Sequence, residues 1–331
     1  MVSLMSNSSI TDSFLVDASI YIFQSHFSPQ VQCFDLDGND VSASLGFIQF
    51  MFRFLRVASP KYVALAFDES LFTGFRHRIS QDYKSNRELP DPALKNQIEC
   101  CKKIAGSLGC QVYASQKYEA DDIIGILSSQ IRKLTDDPSS GIGIVTRDKD
   151  LAQLLLNDQD FLWDFSRNRK RFRVDVASEF GVKPEQIPDY LGLVGDAVDV
   201  IPGVFGIGRV KAKLLLSHFS SIEEIYHNLP NVGELQFAGA RKIQEKLQDA
   251  KDSAVLSKRL ATVVTEIRDS KESFERISLR NIRLRSIQQT NFLSVIESLR
   301  FPKALIDSLE RAVARLSENL NSCSVTGVSM I

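Results

Sequence analysis

The chain has 331 residues, 44% of them hydrophobic, with 40 Lys and Arg against 41 Asp and Glu. That is enough apolar material for a large buried core, in one big domain or two smaller ones. No apolar stretch approaches the roughly 20 residues of a membrane span, and the first 13 residues lack the basic and apolar segments of an export signal. Five scattered cysteines without metal-ligand spacing read as reduced cytosolic thiols, not as a disulfide scaffold.

In chain order, the pattern up to about residue 165 alternates strand and helix, as βαβ units do. Residues 1–13 are expected to be a disordered N-terminus. Strands are predicted at Phe14 to Asp17, Val63 to Asp68, Gln111 to Ala114, Ile142 to Thr146 and Phe161 to Asp164. Helices are predicted at Ala43 to Arg56, Ala93 to Leu108 and Ala120 to Leu134, giving right-handed crossovers between parallel strands. Residues 14–173 should thus form an α/β core with a mainly parallel central sheet flanked by helices.

Beyond residue 174 short helices separated by Gly and Pro predict a helical domain over 174–264. They run Val174 to Glu179, Pro184 to Leu193, Arg209 to His218, Ile222 to Asn228 and Ala240 to Val264. Residues 265–331 form an extension whose helical periodicity runs over 277–320, with Leu293, Ile296, Leu299, Leu305, Leu309, Val313 and Leu316 on one face. That stripe is expected to pack on the chain's own core.

Three of the strands end in acid: Asp17, Asp68, and Asp148 just past the fourth. Ligands of open α/β sheets bind outside the carboxyl ends of parallel strands, so these acids should share one crevice. Glu119, Asp121 and Asp122 in Tyr-Glu-Ala-Asp-Asp, Asp150, and Asp196 and Asp199 in Gly-Asp-Ala-Val-Asp extend the set. Acids opening a helix are ordinary by themselves, but not in company with so many strand-end acids. Two carboxylates about 4 Å apart repel by roughly 4 kcal/mol at an effective dielectric near 20, so the group needs cations. Oxygen donors without His or Cys select Mg²⁺ or Mn²⁺. With these acids neutralised, the rest of the chain carries an excess of basic residues, as a phosphate-binding surface requires.

Two further stretches point to phosphates. Gly203, Gly206 and Gly208 permit tight turns with exposed amides, and a helix carrying Arg209, Lys211 and Lys213 follows at once. Amides and a helix N-terminus bind phosphate without reading bases. Between Asp68 and Ala93 lies a long basic connection, Phe75-Arg76-His77-Arg78 through Tyr83-Lys84-Ser85-Asn86-Arg87. Arg76, Lys84 and Arg87 are candidates to neutralise a reacting phosphate. Phe75 or Tyr83 is a candidate to stack on a base. The histidines, Trp163 and the Cys100-Cys101 pair carry no chemistry in this reading.

Together the motifs Val-Asp-Ala-Ser, Phe-Asp-Glu, Tyr-Lys-Ser-Asn-Arg, Tyr-Glu-Ala-Asp-Asp, Asp-Lys-Asp-Leu and the glycine-turn segment resemble the 5′ nuclease family. That family includes the 5′→3′ exonuclease domain of bacterial DNA polymerase I and flap endonucleases. The resemblance, from about Phe14 to Val264, implies a PIN-like core with a basic arch over about 72–92 and a helix-three-turn-helix element over about 189–218. It implies one metal held mainly by Asp17, Asp68, Glu119, Asp121 and Asp122, and a second nearer Asp148, Asp150, Asp196 and Asp199. Lys84 and Arg87 would contact the scissile phosphate, with Arg76 and Tyr83 beside them. Backbone groups of Val204, Gly206 and Ile207 would offer a K⁺ site.

The implied activity is two-metal hydrolysis at a 5′ end or flap junction of duplex DNA, or of an RNA primer, by a monomeric enzyme of the bacterial cytoplasm, associated with the nucleoid. Family members commonly have Asn where this chain has Val200. No polymerase domain follows, so a stand-alone enzyme is expected. A phospho-acceptor domain and a branched-DNA binder without cleavage are the rival readings; the former has no use for a glycine turn and a basic arch.

Overall fold

The computed structural model describes residues 11–135 and 140–326. Residues 1–10, most of the expected disordered N-terminus, lie outside the described residues. Ser13, included in that expectation, already pairs with Tyr62 and Ile142 in the sheet.

Six strands form one sheet in the order β3-β2-β1-β4-β5-β6. They are β1 Ser13–Asp17, β2 Tyr62–Asp68, β3 Gln111–Ser115, β4 Ile142–Val145, β5 Phe161–Asp164 and β6 Arg169–Phe172. The first five are parallel, and β6 returns antiparallel to β5. Side chains alternate across a strand, so β1 feeds two cores: Leu15 packs on one face, Phe14 and Val16 on the other. Both faces are covered, which explains why the parallel strands read as continuous apolar runs.

Helices α1 Ala18–His26, α2 Ser42–Ala58, α3 Phe75–Ile79, α4 Pro92–Ser107 and α5 Ala120–Thr135 connect the strands. α5 covers the Leu15 face, and α1, α2 and α4 cover the Phe14 face. The start of α4 is set locally: Asp91 accepts the Leu94 N–H at 2.8 Å, and Pro92 occupies the first turn.

The helical half comprises α6 Arg173–Phe180, α7 Ile187–Val194, α8 Arg209–His218, α9 Ile222–His227, α10 Leu229–Val232, α11 Ala240–Asp249 and α12 Lys251–Ala261. The single helix expected over Ala240 to Val264 is two, broken at Ala250, whose φ is −111°. After it the chain runs as an extended strap tied to the core. Gln130 Nε2 donates to Phe274 O at 2.8 Å, Leu284 N to Lys61 O at 3.0 Å, and Arg285 N to Gly109 O at 3.0 Å.

The expected helical run from residue 277 is therefore interrupted, and it resolves into α13 Leu279–Ile282, α14 Gln289–Ser298 and α15 Lys303–Thr326. The amphipathic tail does pack on its own protein. Phe292, Ile296, Leu309, Val313 and Leu316 join the core beneath α2 and α4, and the rings of Phe52 and Phe292 stand 5.6 Å apart.

Candidate metal centre and nucleic-acid interface

Parallel pairing in register brings the ends of β1, β2 and β4 to one edge of the sheet. Asp17 and Asp68 are the last residues of β1 and β2, and Asp148 lies just past β4. Short side chains fix these acids. Thr146 Oγ1 donates to Asp17 at 3.0 Å and accepts the Asp148 N–H at 3.0 Å. Ser70 donates to Asp68 from both N and Oγ, at 2.9 and 2.8 Å. The Asp150 N–H donates to Asp148 at 2.8 Å. Thr146 was not among the sequence candidates; its only signal is the Thr-x-Asp-x-Asp spacing.

Burial and mutual repulsion dominate the electrostatics. Burial, with Asp148 and Asp68 nearby, pushes Asp17 up to about 7. Burial and Asp148, with Asp196 and Asp199 adding, push Asp150 up to about 8. Asp121 is raised well above the carboxylate range by burial, Asp148 and Asp17. Asp68 is raised by burial and Glu119, and Asp148 by burial against the pull of the Asp150 N–H. One oxygen of Asp150 is buried without a hydrogen-bond partner. Acids gathered this way take up protons or bind cations, and an all-oxygen donor set suits a hard divalent ion. No three of the described acids meet at a single coordination point, although they are near enough to raise one another.

The arch lies down across these acids. Lys84 adopts a left-handed backbone, φ 52°, and its N–H donates to Asp199 O at 3.0 Å. Its ammonium bonds Glu119 and lies 3.8 Å from Asp199. Tyr83 Oη donates to the same Glu119 carboxylate at 3.3 Å, and Arg87 pairs with Asp199. Burial would raise Glu119, but Lys84 and Arg76 outweigh it and hold the carboxyl below its ordinary range.

Two expectations need correction. Arg76 and Asp122 form a bidentate pair at 2.6 and 2.8 Å, both fully buried. Arg76 also donates to the carbonyls of Leu260 and Thr262 at 2.8 Å each. Asp122 also accepts the Val264 and Glu119 N–H groups at 2.9 and 3.1 Å. Neither has capacity left for a metal or a phosphate. The reason is helical geometry: adjacent residues point about 100° apart, so of Asp121 and Asp122 one faces the crevice and the other the interior. Stacking is also corrected. Tyr83 is 3% exposed, against His77, and Phe75 is half-buried against Tyr118, so neither offers a face to a base.

After α7 the chain turns at Gly195, and Asp196 and Ile201 exchange hydrogen bonds of 2.9 and 2.7 Å. Asp199 and Val200 lie in this loop, and Val200 has φ 56°, a left-handed conformation that β-branched residues avoid. Gly203 has φ 65°, and a side chain there would meet the Gly195 backbone at 2.3 Å. Its N–H donates to Ser257 Oγ at 2.9 Å, and its carbonyl accepts from Ser253 at 2.7 Å, both on α12. Gly206 turns with φ 82°, and Gly208 precedes α8. Arg209 is exposed, and Lys211 and Lys213 are half-buried. Two neighbours were not found from sequence: Phe205, 92% exposed, and Lys246 on α11, whose ammonium lies 5.5 Å from that ring. Lys246 comes from a distant helix and carries no local signal.

Comparison with known proteins bears on the family and the fold. The 5′-3′ exonuclease N-terminal resolvase-like domain matches residues 12–181, and the 5′-3′ exonuclease C-terminal SAM fold matches residues 182–285. A 5′-3′ exonuclease of Buchnera aphidicola subsp. Acyrthosiphon pisum is 31% identical over 255 residues, 76% of this chain and 86% of the relative. DNA polymerase I of Caldicellulosiruptor bescii is 34% identical over 277 residues, 81% of this chain; the matched part is 30% of the polymerase. Among solved structures, the T5 5′-exonuclease with bound zinc superposes with TM-score 0.57, covering 92% of this chain and 99% of its own at 16% identity. The catalytic core of Rad2 in complex with DNA substrate gives TM-score 0.59 over 93% of each chain, also at 16% identity. At such identities the likeness is one of fold. Both halves of the sequence are matched in order, and a relative above 30% identity is covered over most of its length: the chain belongs to the 5′-3′ exonuclease family.

Proposed function

We propose that this chain is a divalent-metal-dependent 5′→3′ exonuclease and structure-specific 5′ flap endonuclease that hydrolyses DNA phosphodiesters in replication or repair. The observation that carries the reading is the cluster of acids at the carboxyl edge of the sheet. Buried acids with raised pKa values and an unpartnered Asp150 oxygen lie beneath Lys84 and Arg87, which are already paired with two of the acids.

Asp17, Asp68, Glu119 and Asp121 would hold one ion, and Asp148, Asp150, Asp196 and Asp199 a second, Mg²⁺ or Mn²⁺ in each case. Bound there, such ions supply Lewis acidity to an attacking water and a leaving oxygen. The chain's own groups do the rest. Lys84 and Arg87 leave their carboxylates to bind the scissile phosphate and offset its charge. The amides about Gly203, Gly206 and Gly208, with Arg209, Lys211 and Lys213, hold the phosphates of a duplex without reading sequence. Carbonyls at Val204, Gly206 and Ile207 are the candidate K⁺ ligands. We place the protein in the bacterial cytoplasm as a monomer at the nucleoid, acting on branched or 5′-ended DNA and on primer 5′ ends. No helix among the described residues is long and apolar enough to cross a membrane.

The test is cleavage of a 3′-labelled 5′-flap DNA in Mg²⁺ or EDTA, with Asp148→Ala as control. Product near the junction that is lost in EDTA and in the variant is the expected result. Tight flap binding without product would instead make the protein a DNA-binding relative.

A further inference from the structure

Lys246 belongs to α11, far in sequence from the glycine turn, yet its side chain ends there. A Cβ built on Gly206 would run into the Lys246 ammonium, with the Cε and Cδ of that lysine 3.1 and 3.5 Å away. The same ammonium lies 5.5 Å from the centre of the Phe205 ring, which is 92% exposed. A cation is drawn to the face of a ring, so Phe205 holds the lysine against the turn. Gly206 is thus glycine for two reasons, its φ of 82° and the side chain lying over it.

What this charge lacks is a partner. Among the described residues no carboxylate pairs with Lys246. On α12, by contrast, Lys258 bonds both Asp189 and Glu223 at 2.6 Å. Lys213 leans over Gly181 in a similar way, but there the cation stands at the C-terminus of α6, the end that favours positive charge. Lys246 stands beside the turn that opens α8, the end that repels it. An ammonium kept there by a ring and left unpaired is placed to meet an incoming anion.

The same geometry weighs against a bound K⁺ while the lysine is in place. Val204 O already accepts the Ile207 N–H at 3.0 Å. An ammonium against Gly206 repels a second cation drawn to the Gly206 carbonyl.

We propose that Lys246 is the built-in cation of the glycine turn, its ammonium taking the place of a bound K⁺ where the turn meets a duplex phosphate. The inference rests on the duplex grip of the nuclease reading above and makes that grip indifferent to the kind of monovalent ion present. With the ammonium removed, the carbonyls stand open to K⁺.

Binding of a blunt DNA duplex is measured in EDTA by fluorescence anisotropy, in NaCl and in KCl at matched ionic strength, for the unsubstituted protein and Lys246→Met. The unsubstituted protein should bind equally in the two salts. In NaCl the variant should bind several-fold more weakly, with a slope of log affinity against log salt shallower by about one. In KCl the variant should recover part of that loss, which also reports that it is folded. Tighter binding of the unsubstituted protein in KCl than in NaCl overturns the inference and leaves the nuclease reading standing. So does a variant that binds like the unsubstituted protein in NaCl, or one equally weakened in both salts, for which Lys246 is a phosphate contact and no substitute for K⁺. If the unsubstituted protein binds the duplex in neither salt, the duplex grip fails first and the inference with it.

Discussion

Lys84 places its ammonium on the Glu119 carboxylate from a left-handed backbone position, so a cation already stands among the acids. Burial, the largest single influence, would lower the Lys84 pKa, but Glu119 together with Tyr83, Asp199 and Asp121 outweighs it and raises it well above the lysine range, keeping the charge in place. Lys84→Met should therefore cut single-turnover cleavage by about 10²-fold, as loss of a group that stabilises developing charge does. Flap-DNA affinity should change far less. Single-turnover kinetics beside anisotropy separates the two, and a loss confined to affinity would refute the assigned role.

The Arg76–Asp122 pair leads to a different expectation. Removing one member of a buried ion pair leaves the other uncompensated, at a cost of about 3–5 kcal/mol. Asp122→Ala should accordingly lower the urea midpoint strongly, whereas Asp148→Ala should not. Mn²⁺ affinity, read by titration calorimetry on protein kept below its unfolding range, should fall in Asp148→Ala and change little in Asp122→Ala. The reverse pattern would return Asp122 to the metal site.

Stability should depend on pH in a way that divalent ions reverse. Asp17 and Asp150 have folded pKa values of about 7 and 8, raised from 3.8. Between pH 4 and 8 the folded protein thus holds more protons than the unfolded chain, and stability falls as pH rises through this window. In EDTA the melting temperature should drop from pH 5.5 to 8.5. Mg²⁺ should stabilise most at the upper end, where the carboxylates are free of protons. A melting temperature that rises with pH in EDTA would show that the acids are not packed as described.

Val200 offers a gain. A β-branched residue at φ 56° is strained, and Asn tolerates the left-handed region better. Val200→Asn should stabilise the protein by about 1 kcal/mol. Gly203→Ala, meeting the Gly195 backbone, should destabilise it and weaken duplex binding. Urea melts of the pair check both signs.

Much of this was legible in the sequence because period and position carry it. Buried parallel strands are continuous apolar runs, and a run ending in Asp puts acid at the carboxyl edge. What escaped was set by tertiary contact. β6, Arg169–Phe172, has no apolar alternation and exists as an edge strand because β5 is there to pair with it. α1 begins directly after Asp17, with no linker to mark it. The strap after α12 has no period of its own and follows the hydrogen-bonding groups that α5 and the ends of β2 and β3 present. Asp122 and Arg76 look like the neighbouring site candidates in one dimension; the rotation of α5 turns Asp122 inward, and Arg76, on α3, pairs with it there.

Helix α12 deserves a last comparison of its two ends. Ser253 and Ser257 hold both backbone groups of Gly203, while the carbonyls of Leu260 and Thr262, at and just past its C-terminus, hold Arg76 at the foot of the arch. The span from Ser253 to Thr262 is about 14 Å at the helical rise. A force applied at the glycine turn would be borne by the same rod that anchors the segment carrying Lys84. If the glycine turn holds duplex as proposed, gripping the double helix and placing the Lys84 ammonium become one mechanical event.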